Sequence, residues 1–232
     1  LIGMLTWRGL LMSYVALMLL VNLPMVWLLV PPAPPRPKPG AAEAGVAKSP
    51  AERRAVVLLG GFFALRWFIT SAIAVHVLPL LRGVGLTAAE AVGIAAMIGP
   101  GQVAGRIIEY AVGPRINLLV KARIGALLFP AGAMLLLFGG PFAVAGFAVL
   151  YGMSNGIMTV NRGTLPLAMF GPAGYAQMLG WLAVPVLLAQ ATAPTLTAPL
   201  VAALPAADVL LISGAAAAVA VMFLLPLRLP AS

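Results

Sequence analysis

Seven long apolar stretches constrain the fold of this chain more than any other feature of its sequence. Crossing about 30 Å of hydrocarbon takes roughly 20 residues of α-helix. Stretches of that length cover about residues 8–30, 55–80, 88–112, 118–139, 142–168, 175–203 and 208–228. They are rich in Leu, Ala and Gly and lack the period-2 alternation of a β-barrel. The sequence therefore predicts an all-α integral membrane protein with seven transmembrane helices.

The composition supports this class and excludes several functions. Hydrophobic residues make up 62% of the 232 residues and charged residues 8%, whereas a soluble domain carries about 25% charged residues. The mean hydropathy is +1.09. There is no cysteine, and one histidine and five acidic residues leave little from which to build a metal site. The sequence has no nucleotide-binding glycine motif and no convincing Ser/His/Asp set, so we expect neither an enzyme nor a cofactor.

The distribution of basic residues indicates membrane orientation rather than nucleic-acid binding. The net charge is +9, but the basic residues lie in short clusters between apolar stretches, and no domain presents a basic face. Such clusters mark cytoplasmic loops. The segment 31–54, the turn at 113–123 and the C-terminal Arg228 would share one side if seven helices alternate. We therefore expect a multi-pass protein of the cell membrane, in the manner of a bacterial inner-membrane protein, with the linker and the C-terminus in the cytoplasm.

Three parts follow one another along the chain: a first helix at 1–30, a linker at 31–54 and a six-helix transmembrane bundle at 55–232. The linker is rich in proline and polar residues, which predicts an extended, flexible segment. Its last residues, SPAERR, are typical of a helix start, with Ser49 as N-cap, Pro50 at the first helical position and Glu52 at the third. We identify no signal peptide before the first helix and expect an N-terminally truncated chain or a misassigned start.

Three stretches resemble the major facilitator superfamily (MFS) of secondary transporters. TWRGLLMSYVALMLLVNLPMVWLLV resembles the sixth helix of such carriers, and IGPGQVAGRIIEYAVGPR resembles the loop motif between helices eight and nine. YGMSNGIMTVNRGTLPLAMFGPAGYAQMLG resembles the tenth helix, its cytoplasmic turn and the start of the eleventh. The resemblance implies two six-helix bundles that rock around a midplane site. This chain would supply the last helix of the N-terminal half and the whole MFS-type C-terminal bundle.

The resemblance implies a carrier that moves a small organic solute by alternating access. Its partners would be that solute, the lipid bilayer and a missing N-terminal transporter half, and no nucleic acid. Arg66 and Arg162 favour an anionic solute. Without the other half the chain is expected not to transport. A second hypothesis is a membrane-embedded binding or assembly subunit without transport, which would need no mobile gate.

The loop motif supplies the first candidate residues: Gly105, Arg106, Glu109, Gly113 and Arg115. Glu109 stands where the family usually has aspartate, and Gly113 comes one residue late. The resemblance implies that acidic and basic groups of this motif hold a cytoplasmic gate shut. Alternatively Arg106 and Glu109, which share a helix face at i and i+3, form an interfacial pair that anchors the end of the helix.

Arg66 lies well inside the apolar stretch GGFFALRWFITSAIAVHVLP, near mid-membrane. A charge at that depth costs at least about 2.5–3.5 kcal/mol on insertion scales, so Arg66 is expected to face a cavity or a partner. It could attract an anionic solute or pair with a carboxylate of the other half, or it could snorkel or bond to helix carbonyls. His76, further along the same stretch, could couple transport to protons or could be a hydrogen-bonded interfacial histidine.

Two further stretches add candidates for the substrate path. In SNGIMTVNRG, Asn155, Thr159 and Arg162 follow i, i+4, i+7 spacing and share one helix face. They could line a water-filled path or bond to neighbouring helices, and Arg162 could anchor the cytoplasmic end of the helix. Gln190 lies in a segment with three prolines. Prolines bend helices and free backbone carbonyls, which marks substrate paths in transporters but equally fits a structural bend.

Overall fold

The computed structural model describes residues 6–31, 49–138, 143–172 and 175–229, which form helices and turns without a strand. The predicted extended linker falls mostly on residues 32–48, which lie outside the described residues. By its internal contacts the chain divides into two units, Leu1–Ala42 and Glu43–Ser232.

The first unit contains one interrupted helix. It consists of α1 (Trp7–Leu17), a π-helical turn (Met18–Asn22) and α2 (Leu23–Leu29). Pro24 explains the interruption, because proline has no amide to donate to the Leu20 carbonyl and its ring crowds that carbonyl, which the wider turn relieves. No described residue of this helix is buried, and the whole helix is long and apolar enough to cross a membrane.

The second unit is a bundle of helices. They are α3 (Pro50–Gly83), α4 (Ala88–Ala96), α5 (Ile98–Val112), α6 (Leu118–Phe138), α7 (Ala143–Phe170), α8 (Tyr175–Ala203) and α9 (Ala206–Met222). Because α4 continues almost directly into α5, the described chain has seven helices, of which six are long and apolar enough to span a membrane and α9 is shorter. The prediction of an all-α membrane protein is confirmed.

The helix bounds differ most from the predicted segments at two places. The helix α3 begins at Pro50 rather than at 55, and α9 ends at Met222, followed by turns, rather than at 228. The early start comes from the predicted capping box: the Ser49 hydroxyl accepts a hydrogen bond from the Glu52 amide at 3.2 Å, and the Glu52 carboxylate accepts one from the Ser49 amide at 3.1 Å. This exchange satisfies two amides that a helix start leaves without partners.

Glycines bring α5 and α7 into backbone contact. Two GxxxG motifs, Gly101 with Gly105 on α5 and Gly152 with Gly156 on α7, face each other, as such motifs do where membrane helices approach closely. A Cβ atom at Gly105 would lie 2.5 Å from the Met153 carbonyl oxygen. The crossing therefore leaves no room for a side chain. Beyond it, α7 packs on α6, α6 on α9, α9 on α3, and α3 on α8.

The apolar core of the bundle is divided into two clusters. One includes Phe62 of α3 together with residues of α6, α7 and α8. The other includes Ile69 of α3 together with residues of α6, α7 and α9. Arg66 lies between the two clusters on α3, and Ser154 and Asn155 occupy the same level on α7. The bundle thus has a polar level close to the middle of α3 and α7, the two helices of which the largest share is buried.

Candidate functional site

A polar layer separates the two apolar clusters. It consists of Arg66 and Thr70 on α3 and of Ser154 and Asn155 on α7. Arg66 is 1% exposed, Ser154 is 0% exposed and Asn155 is 7% exposed. Arg66 and Thr70 are at i and i+4 and so lie on one face of α3, while Ser154 and Asn155 are neighbours on α7 and reach the same guanidinium from the opposite side.

The hydrogen bonds of Arg66 all go to neutral oxygens. Its Nη2 donates to Ser154 Oγ at 2.8 Å and to Asn155 Oδ1 at 2.9 Å, and its Nη1 donates to the Thr70 hydroxyl. Its Nε is buried and has no partner in the described part of the chain. No carboxylate of the described ranges pairs with Arg66. Buried charges are normally paired with an opposite charge. Because the guanidinium of Arg66 has no such partner among the described residues, its positive charge is uncompensated.

Three further hydrogen bonds hold the polar layer in place. Ser154 Oγ donates to the Gly125 carbonyl of α6 at 2.6 Å, so this one hydroxyl connects α3, α7 and α6. The Tyr151 hydroxyl donates to the Thr70 carbonyl at 3.1 Å. The Thr70 hydroxyl also lies 3.0 Å from the Arg66 carbonyl. The side chains around Arg66 are therefore fixed from three helices, as a buried polar network requires.

A cleft of about 440 Å³ opens beside the polar layer, between α3, the α4–α5 segment and α7. Its polar and aromatic lining residues are Trp67, Thr70, Gln102, Tyr151, Asn155 and Thr159. Two members of the polar layer, Thr70 and Asn155, thus form part of the cleft wall. Arg66 itself lies behind that wall. Asn155 and Thr159 were both predicted to line a path, and the structure places them together on this surface.

Arg162 contacts Trp67, one of the residues that line the cleft. Its guanidinium carbon lies 5.5 Å from the centre of the Trp67 ring, a distance at which a cation is attracted to the face of the ring. Trp67 lines the cleft, but Arg162 does not, so Arg162 touches the cleft only through this ring. Asn155 and Thr159 line the cleft, Arg66 lies behind its wall, and Arg162 contacts one residue of that wall.

Gln190 lies apart from the cleft, at the packing of α8 on α3. Pro194 has no amide to donate to the Gln190 carbonyl, and the Ser71 hydroxyl donates to that carbonyl instead, at 2.9 Å. The helix α8 remains continuous from Tyr175 to Ala203. The carbonyl that the proline frees is thus satisfied by a hydroxyl of a neighbouring helix.

His76 also lies outside the cleft. Its Nε2 is 3.2 Å from the Pro194 carbonyl, and because a carbonyl can only accept, Nε2 carries the proton of this bond. His76 lines an apolar cavity of about 310 Å³ between α3, α8 and α9, with Thr197 and Ser213. This geometry resembles the hydrogen-bonded histidine of the sequence-based alternative, at a position separate from Arg66.

The loop motif does not bring Arg106 and Glu109 together. Glu109 forms an ion pair with Lys121 at 2.7 Å, across the turn that joins α5 to α6, whereas Arg106 is exposed. Gly113 begins a short 3₁₀ turn, Gly113–Arg115, and Arg115 Nη1 donates to the Ala111 carbonyl at 3.3 Å. Gly105 packs against the backbone of α7. The motif therefore fixes the α5–α6 hairpin.

Several residues of the site were not predicted. Thr70 could have been found from its i+4 spacing to Arg66, and Tyr151 from its spacing of four residues before Asn155. Gln102 and Trp67 carry no such local signal, because they reach the cleft only through the packing of α5 and α3 around it. Ser154 stood in the polar stretch SNGIMTVNRG, but its bond to the Gly125 carbonyl depends on a helix far away in sequence.

Among the described residues, no group of three or more His, Cys, Asp or Glu side chains could hold a metal ion. A scan against protein-family models, a search of curated proteins and a search of solved structures each found no match for the chain. A function must therefore be argued from the chemistry of the cleft and of the polar layer behind it.

Proposed function

We propose that the chain is the C-terminal portion of an MFS-type secondary transporter, which carries a small organic solute across the cell membrane by alternating access. The observation that carries the proposal is the cleft of about 440 Å³ beside the polar layer. Ionisable groups inside a membrane are costly and face the bundle interior or water-filled cavities, where they mark substrate pathways. A buried arginine beside a cavity favours a solute site over a surface that only packs against a partner.

The packing of the helices supports movement at the cleft. The helices α3 and α7 meet chiefly through the hydrogen bonds of the polar layer, since α3 packs mainly on α8 and α9, and α7 mainly on α5 and α6. Hydrogen bonds between side chains can be exchanged as helices move. The glycine crossing of α5 and α7, in which backbones touch, holds those two helices together as one body.

The basic residues support an orientation with the α5–α6 turn in the cytoplasm. Arg115 and Lys121 lie at this turn, and Arg123 Nη2 donates to the Leu224 carbonyl after α9 at 2.8 Å, which places both ends on one side. The opposite end carries Arg82, at the end of α3. In this proposal the positive-inside rule puts the linker and the C-terminus in the cytoplasm, and a missing N-terminal half supplies the other wall of the cleft.

A labelling experiment tests alternating access. The chain contains no cysteine, so a single Thr159→Cys variant reports on the cleft alone. Cells would produce the variant together with a cysteine-free form of the proposed N-terminal half, and a membrane-impermeant maleimide would be applied to right-side-out and to inside-out vesicles. A carrier exposes the position to each side in turn, so both kinds of vesicle are labelled. Labelling from one side only, with every candidate solute, would contradict transport and favour the static binding or assembly subunit.

Two more single-cysteine variants test the orientation in the same vesicles. Arg115→Cys, in the exposed turn after α5, is expected to react only in inside-out vesicles. Ala89→Cys, exposed in the first turn of α4, is expected to react only in right-side-out vesicles. The reverse pattern would overturn the orientation and leave the labelling of the cleft unaffected.

A further inference from the structure

We infer that the cleft binds a small organic monocarboxylate, whose negative charge compensates the positive charge of Arg66. The inference rests on the proposed function of the cleft as a solute site and gives the chemical class of that solute.

The charges around the cleft select for an anion. Arg66 is fully buried behind the cleft wall and bonds only to neutral oxygens, and Arg162 packs on the ring of Trp67, a residue of that wall. No acidic residue lines the cleft. Of the acidic groups in the described ranges, Glu109 is paired with Lys121, and the others, Glu52, Glu90 and Asp208, belong to the first turns of helices. A cation in the cleft would therefore meet the buried positive charge of Arg66, while an anion would meet no negative charge.

The hydrogen-bonding groups of the wall also suit a carboxylate. Asn155 turns its Oδ1 toward Arg66 at 2.9 Å, and its side-chain amide also bonds to the Tyr151 hydroxyl. The side-chain amide of Gln102 has no hydrogen-bond partner within the described residues and faces the cleft from α5. The NH₂ group of Gln102 is a donor from which a carboxylate oxygen can accept a hydrogen bond. The Trp67 and Tyr151 rings, with Val77 and Ile98, supply apolar walls for the organic body.

Arg66 acts on the solute as a positioning residue. It is 1% exposed and reaches the cleft through Thr70 and Asn155, which it holds in place. Its charge lies in a low-dielectric interior, where it is screened much less than a surface charge would be. The solute therefore contacts the neutral wall, and the buried guanidinium behind that wall sets the sign of the charge that binds.

The test compares three probes of nearly the same shape. Benzoate is anionic, benzamide is neutral and benzylamine is cationic, and each is titrated by calorimetry into the detergent-solubilised chain, alone and together with the proposed N-terminal half. Benzoate is expected to bind about tenfold or more tightly than benzamide, as a hydrogen-bonded charge does compared with a neutral group, and benzylamine is expected not to bind. Equal binding of benzoate and benzamide, preference for benzylamine, or no binding of benzoate would each overturn the inference.

Variants then assign the preference to Arg66. Arg66→Met is expected to bind benzoate and benzamide equally, Arg66→Lys to keep the preference, and Arg82→Met, which removes the same charge from the exposed end of α3, to behave like the wild type. If Arg66→Met fails to fold, the three probes on the wild-type chain still decide the question. The binding experiment requires no transport. Benzoate preference together with one-sided labelling of Thr159→Cys would support the anion site and contradict the carrier. Two-sided labelling without benzoate preference would support the carrier and contradict the anion site.

Discussion

Replacing Ser154 by alanine removes a hydroxyl that connects three helices. The Ser154 oxygen accepts from Arg66 at 2.8 Å and donates its own proton to the Gly125 carbonyl at 2.6 Å, and the residue is 0% exposed. Interhelical hydrogen bonds in membranes are worth about 0.6–2 kcal/mol, and hydrogen bonds to charged groups are worth about 1.5–3 kcal/mol. The two losses together predict that Ser154→Ala lowers the free energy of unfolding by about 2–5 kcal/mol.

The measurement is reversible unfolding of the full chain in mixed micelles of mild detergent and SDS, followed by circular dichroism. Ser213→Ala is the matched control, because Ser213 lies in the same bundle, half-buried, and its hydroxyl has no hydrogen-bond partner among the described residues. The control is expected to change the free energy by less than about 0.5 kcal/mol. If Ser154→Ala loses no more than the control, the polar layer does not stabilise the bundle as described.

The double variant Arg66→Met, Ser154→Ala separates the two bonds of Ser154. Removing the charge and its acceptor together leaves fewer buried groups without a partner than either change alone. The double variant is therefore expected to be less destabilised than the sum of the two single variants, as for residues in one network. Additive effects would mean that the two side chains are not coupled.

Three further predictions concern packing and stability. The free energy of unfolding of Gly105→Ala should be about 1–3 kcal/mol lower than that of Gly99→Ala. The reason is that an added Cβ would lie 2.5 Å from the Met153 carbonyl oxygen at Gly105 and in open space at Gly99. Equal free energies for the two variants would contradict the backbone crossing. Ser71→Ala should lower the free energy of unfolding by about 0.6–2 kcal/mol in the wild type. It should lower it much less in a Pro194→Ala background, where residue 194 regains an amide that can donate to the Gln190 carbonyl. Equal losses of stability in both backgrounds, measured by a thermal shift assay, would refute this. Glu109→Gln should lower the free energy of unfolding by about 1–3 kcal/mol, a value between those of exposed and buried ion pairs, because the side chains of Glu109 and Lys121 are 10% and 13% exposed. Exchanging the two residues, Glu109→Lys with Lys121→Glu, should recover most of this loss in SDS unfolding. No recovery would count against the ion pair.

The sequence predicts those parts of the molecule that depend on local chemistry. Apolar length sets the helices, because a span must cross a fixed thickness. The start of α3 follows from the order of Ser49, Pro50 and Glu52, since a capping box needs only neighbours in sequence. The polar spacing of Asn155 and Thr159 likewise predicts a shared surface, which the cleft provides.

Contacts between distant helices are what the sequence leaves open. Glu109 has two basic residues within reach, and only the fold of the α5–α6 hairpin selects Lys121 rather than Arg106. The polar side chain of Gln190 predicted a place on the substrate path. In the structure it is the backbone carbonyl of Gln190 that accepts a hydrogen bond, from Ser71 on another helix. Both outcomes depend on how helices rotate about their axes, which is determined by packing against partners far away in sequence.

The central claim is that water reaches the cleft beside Arg66 at mid-depth of the bundle. It is tested most directly by two single-cysteine variants of adjacent residues on α3, Ala74→Cys on the cleft wall and Val75→Cys on a different, 57% exposed face of the helix. The two positions differ in depth by about 1.5 Å, and a thiol reacts with a charged methanethiosulfonate only as a thiolate, in water. In proteoliposomes the account predicts that Ala74→Cys reacts and Val75→Cys does not. Equal reactivity of the two variants, or reaction of Val75→Cys alone, would contradict it.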